Sequence, residues 1–224
     1  MKIGSLVSGG KDSMLALYKA SKEHEIVCLI SVTSENPASY MFHVPNISLT
    51  ELQAEALGLP LFTGETHGRK EEELEDLKQI LIDAKEKFGI EGITTGAVAS
   101  EYQASRIQKI CDDIGLKCVN PLWQMNQIDL LNELLEFGFD VMIVAIGAYP
   151  LTDSWLGRKL DKGMVSELAE LQEKYGVNPA GEGGEFESLV LDAPMFGKKL
   201  EVLKVEKDYS NHVGVLKILN AKVV

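Results

Sequence analysis

The sequence is poor in cysteine, which limits what its thiols can do. The chain of 224 residues has three cysteines, at positions 28, 111 and 118, and no two of them form a CxxC pair. An odd number of widely spaced cysteines is a poor basis for a disulfide framework. We therefore expect reduced thiols, with Cys28 and Cys111 in the core, and a cytoplasmic location.

Long hydrophobic runs are also absent. No run reaches the roughly 18 residues that a membrane-spanning helix needs. The longest, from Val141 to Ala148, is interrupted by Gly147 and predicts a buried strand. Met1 and Lys2 lead directly into a short strand pattern and not into the apolar segment of a signal peptide. The sequence thus predicts a soluble protein without a membrane partner.

Positive charge is scarce as well. The chain has 22 Lys and Arg residues against 34 Asp and Glu residues, a formal net charge of -12. A surface of this sign repels phosphate backbones, so an extended nucleic-acid surface is disfavoured. Apolar residues make up 45% of the chain, which is ordinary for a globular protein with a sizeable core. The composition leaves the number of copies in solution open and is compatible with a homo-oligomer.

Short apolar runs alternate with helical patterns over the first two thirds of the chain. The runs begin at Ile3, Ile26, Leu61, Gly92, Leu116 and Asp140. This alternation predicts an α/β fold, an open parallel sheet with helices on both faces. After about Gly147 one helix and three strand-like runs predict a smaller α+β region. We divide the chain into residues 1–120, a nucleotide-binding domain, and 121–224, a substrate-binding region.

One of the helical patterns, from Arg69 to Phe88, opens with the acidic run Glu71 to Glu73. Negative charge is favourable near a helix N-terminus because of the helix dipole. We expect this run to be a solvated face that stabilises the helix.

The hexapeptide SGGKDS, from Ser8 to Ser13, lies between the first strand pattern and a helix pattern. Adjacent glycines allow backbone N–H groups to point at an anion, and the following helix adds the positive end of its dipole. Lys11 supplies a full charge and the two serines supply hydroxyls. Asp12 is unusual in an anion site unless it orients a loop N–H or approaches Mg²⁺. The pattern predicts a phosphate site that is neither a Walker A loop nor GxGxxG.

This hexapeptide resembles the PP-loop of the ATP pyrophosphatases, which have a Rossmann-like sheet of the HUP type. The resemblance implies that ATP binds with its phosphates on Ser8, Gly9, Gly10, Lys11, Asp12 and Ser13. It implies Mg²⁺ as a further cofactor, with Asp12 as its candidate ligand. It also implies that a substrate oxygen attacks the α phosphate, that pyrophosphate leaves, and that the nucleotide lies at the carboxyl ends of the strands.

A second motif, GAVASEYQASR, runs from Gly96 to Arg106 after the strand pattern at Ile93. Small residues at a strand end allow a purine ring to pack against the backbone. Ser100 is a candidate helix cap, and Gln103 and Arg106 are one helical turn apart, so both can face one ligand. The alternative is a helix cap followed by polar surface residues.

A third motif, GEGGEFES, runs from Gly181 to Ser188 and precedes an apolar strand pattern. Three carboxylates in a glycine-rich loop are costly to hold together without a cation or a donor-rich ligand. A mobile acidic surface loop is the alternative that composition favours. The position directly before a strand favours an ordered binding loop.

Together the three motifs resemble those of the diphthine–ammonia ligase family, also described as N-type ATP pyrophosphatases, over essentially the whole chain. Ser188 stands where the family pattern leads us to expect Thr, a change that keeps the hydroxyl. The resemblance implies the last step of diphthamide synthesis. In that step the carboxylate of diphthine, a modified histidine on translation elongation factor two, is adenylated with ATP. Ammonia then amidates it, and AMP and pyrophosphate are released.

The resemblance also assigns roles to residues, which fall into three groups. The nucleotide would contact, besides the hexapeptide, the backbone or side chains of Ser31, Val32, Thr33, Gly96 and Ala97. The reacting centre would consist of Lys11, Asp12, Ser100, Gln103 and Arg106. Diphthine or ammonia would be bound by Tyr102, Glu182, Gly184, Glu185 and Glu187, with cation–π attraction from Trp123, Trp155 or Phe186.

Two other functions fit part of this pattern. An ATP-dependent tRNA-modifying PP-loop enzyme, such as a thiolase or a lysidine synthetase, has the same loop. Sulfur-transfer members often need paired cysteines, and a basic tRNA-binding domain is missing from this sequence. A non-catalytic nucleotide-binding module of the universal-stress-protein kind has the same sheet but does not need the carboxylate loop.

Overall fold

A parallel sheet forms the N-terminal half of the molecule. The structure is a computed structural model that describes residues 1–34, 36, 46–68 and 72–224. Its first sheet has five strands: β1 (Lys2–Leu6), β2 (Glu25–Ser34), β3 (Leu61–Thr66), β4 (Gly92–Thr94) and β5 (Lys117–Val119). They are all parallel, in the order β3-β2-β1-β4-β5. The predicted open parallel sheet is confirmed, and its switch point lies between β1 and β4.

Helices cover both faces of this sheet, as predicted. One face packs against α1 (Lys11–Ala20) and α2 (Thr50–Leu57), and the other against α3 (Glu72–Phe88) and α4 (Glu101–Ile114). Cys28 and Cys111 are fully buried in the core of the second face, as expected. Among the described residues, none of the helices combines the length and the apolar character that a bilayer crossing requires.

The acidic run at the start of α3 differs from its prediction. Glu72 is exposed, but Glu73 is only 1% exposed, so it is not part of a solvated face. Residues 69–71, the predicted first turn with Glu71, lie outside the described residues. The helix dipole favours an acidic residue at both positions. Glu73 is buried because it lies on the side of α3 that packs against the molecule, and Glu72 does not.

A second, antiparallel sheet forms the C-terminal part. Its strands are β6 (Asp140–Ile146), β7 (Phe186–Asp192), β8 (Leu200–Ser210) and β9 (Val213–Val223), in the order β7-β6-β9-β8. The helices α5 (Gln127–Glu136) and α6 (Lys162–Tyr175) accompany it. The expectation that Asp140–Ile146 continues the parallel sheet was wrong. A strand covered on both faces is continuously apolar, and this pattern does not distinguish the two kinds of pairing.

Strand β7 attaches the second sheet to the loop after β1. The N–H of Val190 donates to the carbonyl of Gly9 at 3.0 Å. Gln53 of α2 is fully buried, and its Nε2 donates to the carbonyls of Gly9, at 3.0 Å, and Val190, at 2.8 Å. The largest cluster of buried side chains includes residues of α1 and α2 together with residues of β6 and β7. The two sheets therefore share one core, and the division at residue 120 stays a prediction.

Candidate active site

The loop from Ser8 to Ser13 connects β1 to α1 at the switch point of the parallel sheet. Gly9 has a φ of +85°, a conformation that residues with a side chain rarely adopt. Gly10 is the N-cap of α1 and, as a glycine, has no side chain of its own to cap this helix end. The positive end of the helix dipole therefore faces the loop, the arrangement that favours an anion.

The two serines of the loop are held by each other. The N–H of Ser8 donates to Oγ of Ser13 at 3.2 Å, and the two hydroxyl oxygens are 3.3 Å apart. Ser13 Oγ donates to the carbonyl of Gly10 at 3.1 Å. Both hydroxyls border the same cavity and are in place for phosphate oxygens.

Lys11 is a buried cation, only 3% exposed. Its Nζ is 2.8 Å from Oδ2 of Asp12, donates to the carbonyl of Ala180, and lies 5.3 Å from the centre of the Phe186 ring. A buried ammonium needs such partners, because desolvation strongly disfavours an isolated charge. The second oxygen of Asp12, Oδ1, is buried and has no hydrogen-bond partner within the part of the chain that the structure describes.

A cavity of about 460 Å³ lies above this loop, between the two sheets. One side is apolar, and the residues that form it are Leu6, Ile30, Val32, Ile47 and Ile107. The other side carries the loop with Lys11 and the segment from Ala180 to Ser188. Pockets of this size, apolar with a few placed polar groups, are typical of sites for small molecules.

The turn after β4 brings part of the second motif to the cavity. Gly96, Ala97, Ser100 and Gln103 line it, and Ser100 caps α4 by accepting a hydrogen bond from the N–H of Gln103 at 3.4 Å. Gly96 packs against the loop itself, since a Cβ atom at this position would lie 2.6 Å from the backbone nitrogen of Ser13. The requirement for glycine here comes from this close approach of two backbones.

Two of the six candidate residues in the second motif, Tyr102 and Arg106, do not line the cavity. The Arg106 guanidinium carbon lies 3.5 Å from the centre of the Tyr102 ring, so the two side chains stack on each other. On α4 the cavity is lined by Gln103 and Ile107, four residues apart. Tyr102 and Arg106 belong to the neighbouring stripe, rotated by about 100° around the helix axis.

The second strand contributes one of its three candidate residues. Val32 lines the cavity, whereas Ser31 and Thr33 do not. The hydroxyl of Thr33 donates to the carbonyl of Gly64 at 3.3 Å. Successive side chains of a strand point to opposite faces, so neighbours of Val32 cannot reach the same cavity.

The third motif closes the cavity with an ordered loop. Glu182, Gly184 and Glu187 line the cavity together with Phe186 and Ser188. Oε2 of Glu182 accepts a hydrogen bond from the N–H of Ala99 at 3.4 Å, which connects this loop to the turn after β4. The predicted binding loop therefore has three of its four candidate residues at the cavity.

Glu185 has a different position from the other two acids. Its Oε1 accepts from the N–H of Asn178 at 3.1 Å, and its Oε2 accepts from the N–H of Gly183 at 2.8 Å. Both oxygens thus hold the loop in its conformation, and the side chain is not part of the cavity lining.

Two of the acids that line the cavity, Glu182 and Glu187, have pKa values above the usual range. Burial raises the pKa of Glu187 above its ordinary value, and the positive charge of Lys11 partly opposes this shift. Burial also raises the pKa of Glu182, and the charge of Asp12 adds to the effect. Carboxyl groups with raised pKa values in a cavity are candidates for proton transfer and for binding cations.

The sequence did not predict two residues that hold the loop from Ser8 to Ser13 in place. Ser188 accepts, on its Oγ, a hydrogen bond from the N–H of Lys11 at 3.1 Å, and Gln53 holds Gly9 as described above. Ser188 was noted only as a departure from a family pattern, and Gln53 lies in no motif.

The two tryptophans, which were candidates for a cation–π contact with the substrate, do not line the cavity. Trp155 is buried, and the guanidinium carbon of Arg158 lies 4.5 Å from its ring centre.

Within residues 1–34, 36, 46–68 and 72–224, no group of three or more His, Cys, Asp or Glu side chains is placed to hold a metal ion. Mg²⁺ is commonly bound by one or two carboxylates together with substrate phosphates. The buried oxygen Oδ1 of Asp12, in the loop from Ser8 to Ser13, fits this second kind of site.

Comparisons with known proteins agree with these motifs. Models of the diphthamide synthase N-terminal and C-terminal domains match residues 1–118 and 126–224. A human diphthine–ammonia ligase is 38% identical over 222 residues, which cover 90% of this chain and 83% of that protein. A diphthine–ammonia ligase of Danio rerio is 35% identical over 219 residues, 89% of this chain and 86% of that protein. A solved structure, described as a predicted subunit of tRNA methyltransferase from Methanocaldococcus jannaschii, has a TM-score of 0.45 and 17% identity, covering 86% of this chain and 98% of that one.

Proposed function

Because this chain belongs to the diphthamide synthase family and is a ligase of that family, we propose that it amidates the diphthine carboxylate of translation elongation factor two. The nitrogen comes from ammonia, and ATP is cleaved to AMP and pyrophosphate. This is the last step of diphthamide biosynthesis. The acceptor is part of a translation factor, so we place the reaction in the cytoplasm.

The proposal depends on one observation. Lys11 is buried in a glycine-rich loop at the N-terminus of α1, at the same cavity as Glu182 and Glu187, the two acids with raised pKa values. The loop binds negative phosphate groups and the acids bind a positively charged group. A reaction between ATP and a substrate that carries a trimethylammonium group needs both kinds of charge within one cavity.

The reaction begins when a carboxylate oxygen of diphthine forms a bond to the α phosphorus of ATP. The bond from this phosphorus to the bridging oxygen breaks, and pyrophosphate leaves with the electron pair. Lys11 and the N-terminus of α1 stabilise the charge on the leaving phosphates, which is the main contribution of an enzyme to phosphoryl chemistry. Asp12 would hold the Mg²⁺ that the family implies, and this ion would supply further positive charge to the leaving phosphates.

In the second step the nitrogen of ammonia bonds to the acyl carbon, and AMP leaves with the electrons of the carbon–oxygen bond. One proton of the former ammonia must go to a base. Glu187 is suited to accept it, because a carboxylate with a raised pKa is a better base. Glu182, at the same cavity, is suited to hold the trimethylammonium group by charge.

The test follows AMP and pyrophosphate release with ATP, Mg²⁺ and ammonium, with and without elongation factor two that carries diphthine, and the mass of the factor. We expect AMP formation that depends on the factor, and the mass change from carboxylate to amide. Lys11→Met should lower kcat by at least about 10²-fold, as the loss of one transition-state charge contact does. Lys22→Met, an exposed lysine just after α1, is the matched control and should leave the rate unchanged.

Other outcomes point to the other two functions. AMP formation that is indifferent to the factor, and that a transfer RNA stimulates, would favour a tRNA-modifying enzyme. ATP binding without AMP formation under any condition would favour a nucleotide-binding module.

A further inference from the structure

Three aromatic rings lie together on the surface, those of Tyr149, Tyr175 and His212. We call this group the aromatic patch. The ring centres of Tyr149 and Tyr175 are 5.4 Å apart, and those of Tyr149 and His212 are 5.0 Å apart. The planes are nearly perpendicular in both pairs, at 90° and 87°. Yet the two tyrosines are 61% and 51% exposed. The contacts order the rings without removing them from solvent.

The patch is built from three elements that are distant in the sequence. Tyr149 follows β6, and Tyr175 is the last residue of α6, which Gly176 terminates with a φ of +72°. His212 lies in the turn between β8 and β9, where its Nδ1 is 2.8 Å from the carbonyl of Leu151. Each ring is thus attached to an ordered element, so a partner would meet a surface that is already arranged.

Tyr149 of the patch follows closely on the end of β6, which pairs with the segment that lines the cavity. Ile146, at the end of β6, is paired with Phe186, which lines the cavity. The N–H of Gly147 donates to the carbonyl of Glu185 at 2.8 Å, and Gly147 packs on the carbonyl of Gly184. Tyr149 is only three residues beyond Ile146, a distance of at most about 11 Å along an extended chain.

The size of the substrate explains why a surface outside the cavity is needed. The acceptor carboxylate of diphthine is at the end of a long modified histidine side chain, roughly 10 Å from the backbone that carries it, by the bond lengths of such a chain. With the carboxylate at the phosphate loop, the polypeptide itself must lie at the cavity mouth. Tyrosines that are exposed and already ordered are frequent anchors of such contacts.

We propose that the aromatic patch is the docking surface for the polypeptide that flanks the modified histidine of the protein substrate. This inference rests on the proposed function and deepens it, because it assigns recognition of the protein to residues outside the cavity. The patch binds polypeptide and does not take part in the chemistry. Its loss should therefore change the affinity for the protein substrate and leave the affinity for ATP intact.

The experiment compares the wild-type chain with the double variant Tyr149→Ala, Tyr175→Ala. The KM for the diphthine-bearing factor should rise about tenfold or more, the change typical of losing two anchor residues, while kcat and the dissociation constant of ATP stay within about twofold. The double variant Leu203→Ala, Leu219→Ala is the control. It removes two side chains of comparable exposure, 49% and 50%, from the β8–β9 ribbon, and it should leave KM unchanged.

A second measurement uses elongation factor two without diphthine as an inhibitor. It should compete with the modified factor for the wild-type chain, and its inhibition constant should rise in the tyrosine variant. Thermal unfolding of that variant, shifted by no more than roughly 2–4 °C, shows that it is folded.

An unchanged KM in the tyrosine variant, with normal amidation by the wild-type chain, would overturn the docking surface and leave the proposed function in place. A fall in kcat at unchanged KM would overturn it too, because the tyrosines would then act on the chemistry. If the wild-type chain forms no amide on the factor, the proposed function itself is wrong.

Discussion

At Gly96 the need for a glycine comes from a backbone contact with residues that are distant in the sequence. It lies in the turn after β4, and its backbone touches the backbone of Asp12 and Ser13 at the start of α1. This contact sets the distance between the two halves of the switch point, and with it the width of the cavity between them.

Gly96→Ala should therefore weaken nucleotide binding and destabilise the fold. The added Cβ would be 2.6 Å from the Ser13 nitrogen, so the loop must shift. Such overpacking costs about 1–3 kcal/mol, and the shift should raise the dissociation constant of ATP in parallel. Urea unfolding and calorimetric ATP titration measure the two effects.

Gly197→Ala is the matched control for that variant. Its nearest neighbour, the carbonyl oxygen of Ala56, is at 3.5 Å, an ordinary contact distance. Stability should change by less than about 0.5 kcal/mol. If Gly96→Ala behaves like this control, the close approach does not determine the width of the cavity.

Glu187 is a residue at which function and stability oppose each other. Its raised pKa means that, between the ordinary carboxyl pKa and the raised value, the folded chain binds more protons than the unfolded chain. Stability then falls as the pH rises through this window. Above this pH window Glu187 is ionised in the folded chain, and the burial of its charge lowers the free energy of unfolding by the full amount.

Glu187→Gln should thus be more stable than the wild-type chain at pH values above the window, and its stability should depend less on pH within it. Loss of the proposed general base should lower kcat by roughly 10²- to 10⁴-fold. Urea unfolding at a series of pH values and initial rates provide the data. Glu170→Gln, an exposed acid of α6, should alter neither quantity. A less stable Glu187→Gln variant would contradict this account.

Sequence reasoning at the residue scale placed the residues of one contiguous loop together at one cavity, and their roles stay a prediction. All but one of the hexapeptide residues line the cavity, and the other, Gly9, shapes the turn. It was less successful where side-chain direction decides, as for Tyr102 against Gln103 on α4 and Ser31 against Val32 on β2. The two members of each pair are adjacent in the sequence, and the face that each side chain takes depends on packing against the rest of the molecule.

At the scale of elements, α2 acts as a clamp on the phosphate loop. Its Gln53 is completely buried and joins the carbonyl of Gly9 to that of Val190 on β7. Neither carbonyl belongs to α2, so the helix holds two other elements at a fixed separation. Its sequence, TELQAEAL, gives no indication of this role.

Gln53→Leu should destabilise the chain by about 1–3 kcal/mol, because the carbonyl of Val190 loses its side-chain donor inside the core. The loop should also become less ordered, which hydrogen exchange at residues 8–13 would detect. Gln79→Leu, which removes an exposed bond to Asp83 on α3, is the control, expected within about 0.5 kcal/mol of wild type. Equal effects of the two changes would rule out the clamp.

The elements themselves were largely predictable, and their partners were less so. All five parallel strands were located from short apolar runs, within a few residues of their ends. The partner of β6 was not, because a buried strand has the same composition in either kind of sheet. Pairing of β6 with β7 and β9 joins residues 40 or more positions apart, and local patterns carry no information about such pairs.

On the scale of the whole molecule, the shared core makes the two sheets one cooperative unit. Buried residues of α1, such as Met14 and Leu15, belong to the same cluster as Ile146 and Val190 of the second sheet. Unfolding of either sheet exposes the apolar surface of the other. The chain should therefore unfold in a single transition.

Both tryptophans lie after residue 120, so their fluorescence reports on the second half of the chain. Fluorescence and far-UV circular dichroism should give the same urea midpoint. Met14→Ala, a change at a fully buried position of α1, should cost about 2–5 kcal/mol and lower both midpoints equally. A fluorescence midpoint that does not respond to Met14→Ala would mean that the two sheets unfold separately.

The hydrogen bond from the Lys11 N–H to Ser188 has a consequence for the synthesis of the chain on the ribosome. Its two partners are 177 positions apart, and Val190 holds Gly9 over a similar interval. A ribosome that adds about 5–20 residues per second makes the first partner roughly 10–35 s before the second. During that time the nascent chain already has its glycine loop but not the strand that completes it. Tight ATP binding should therefore begin only after Ser188 and Val190 have been synthesised.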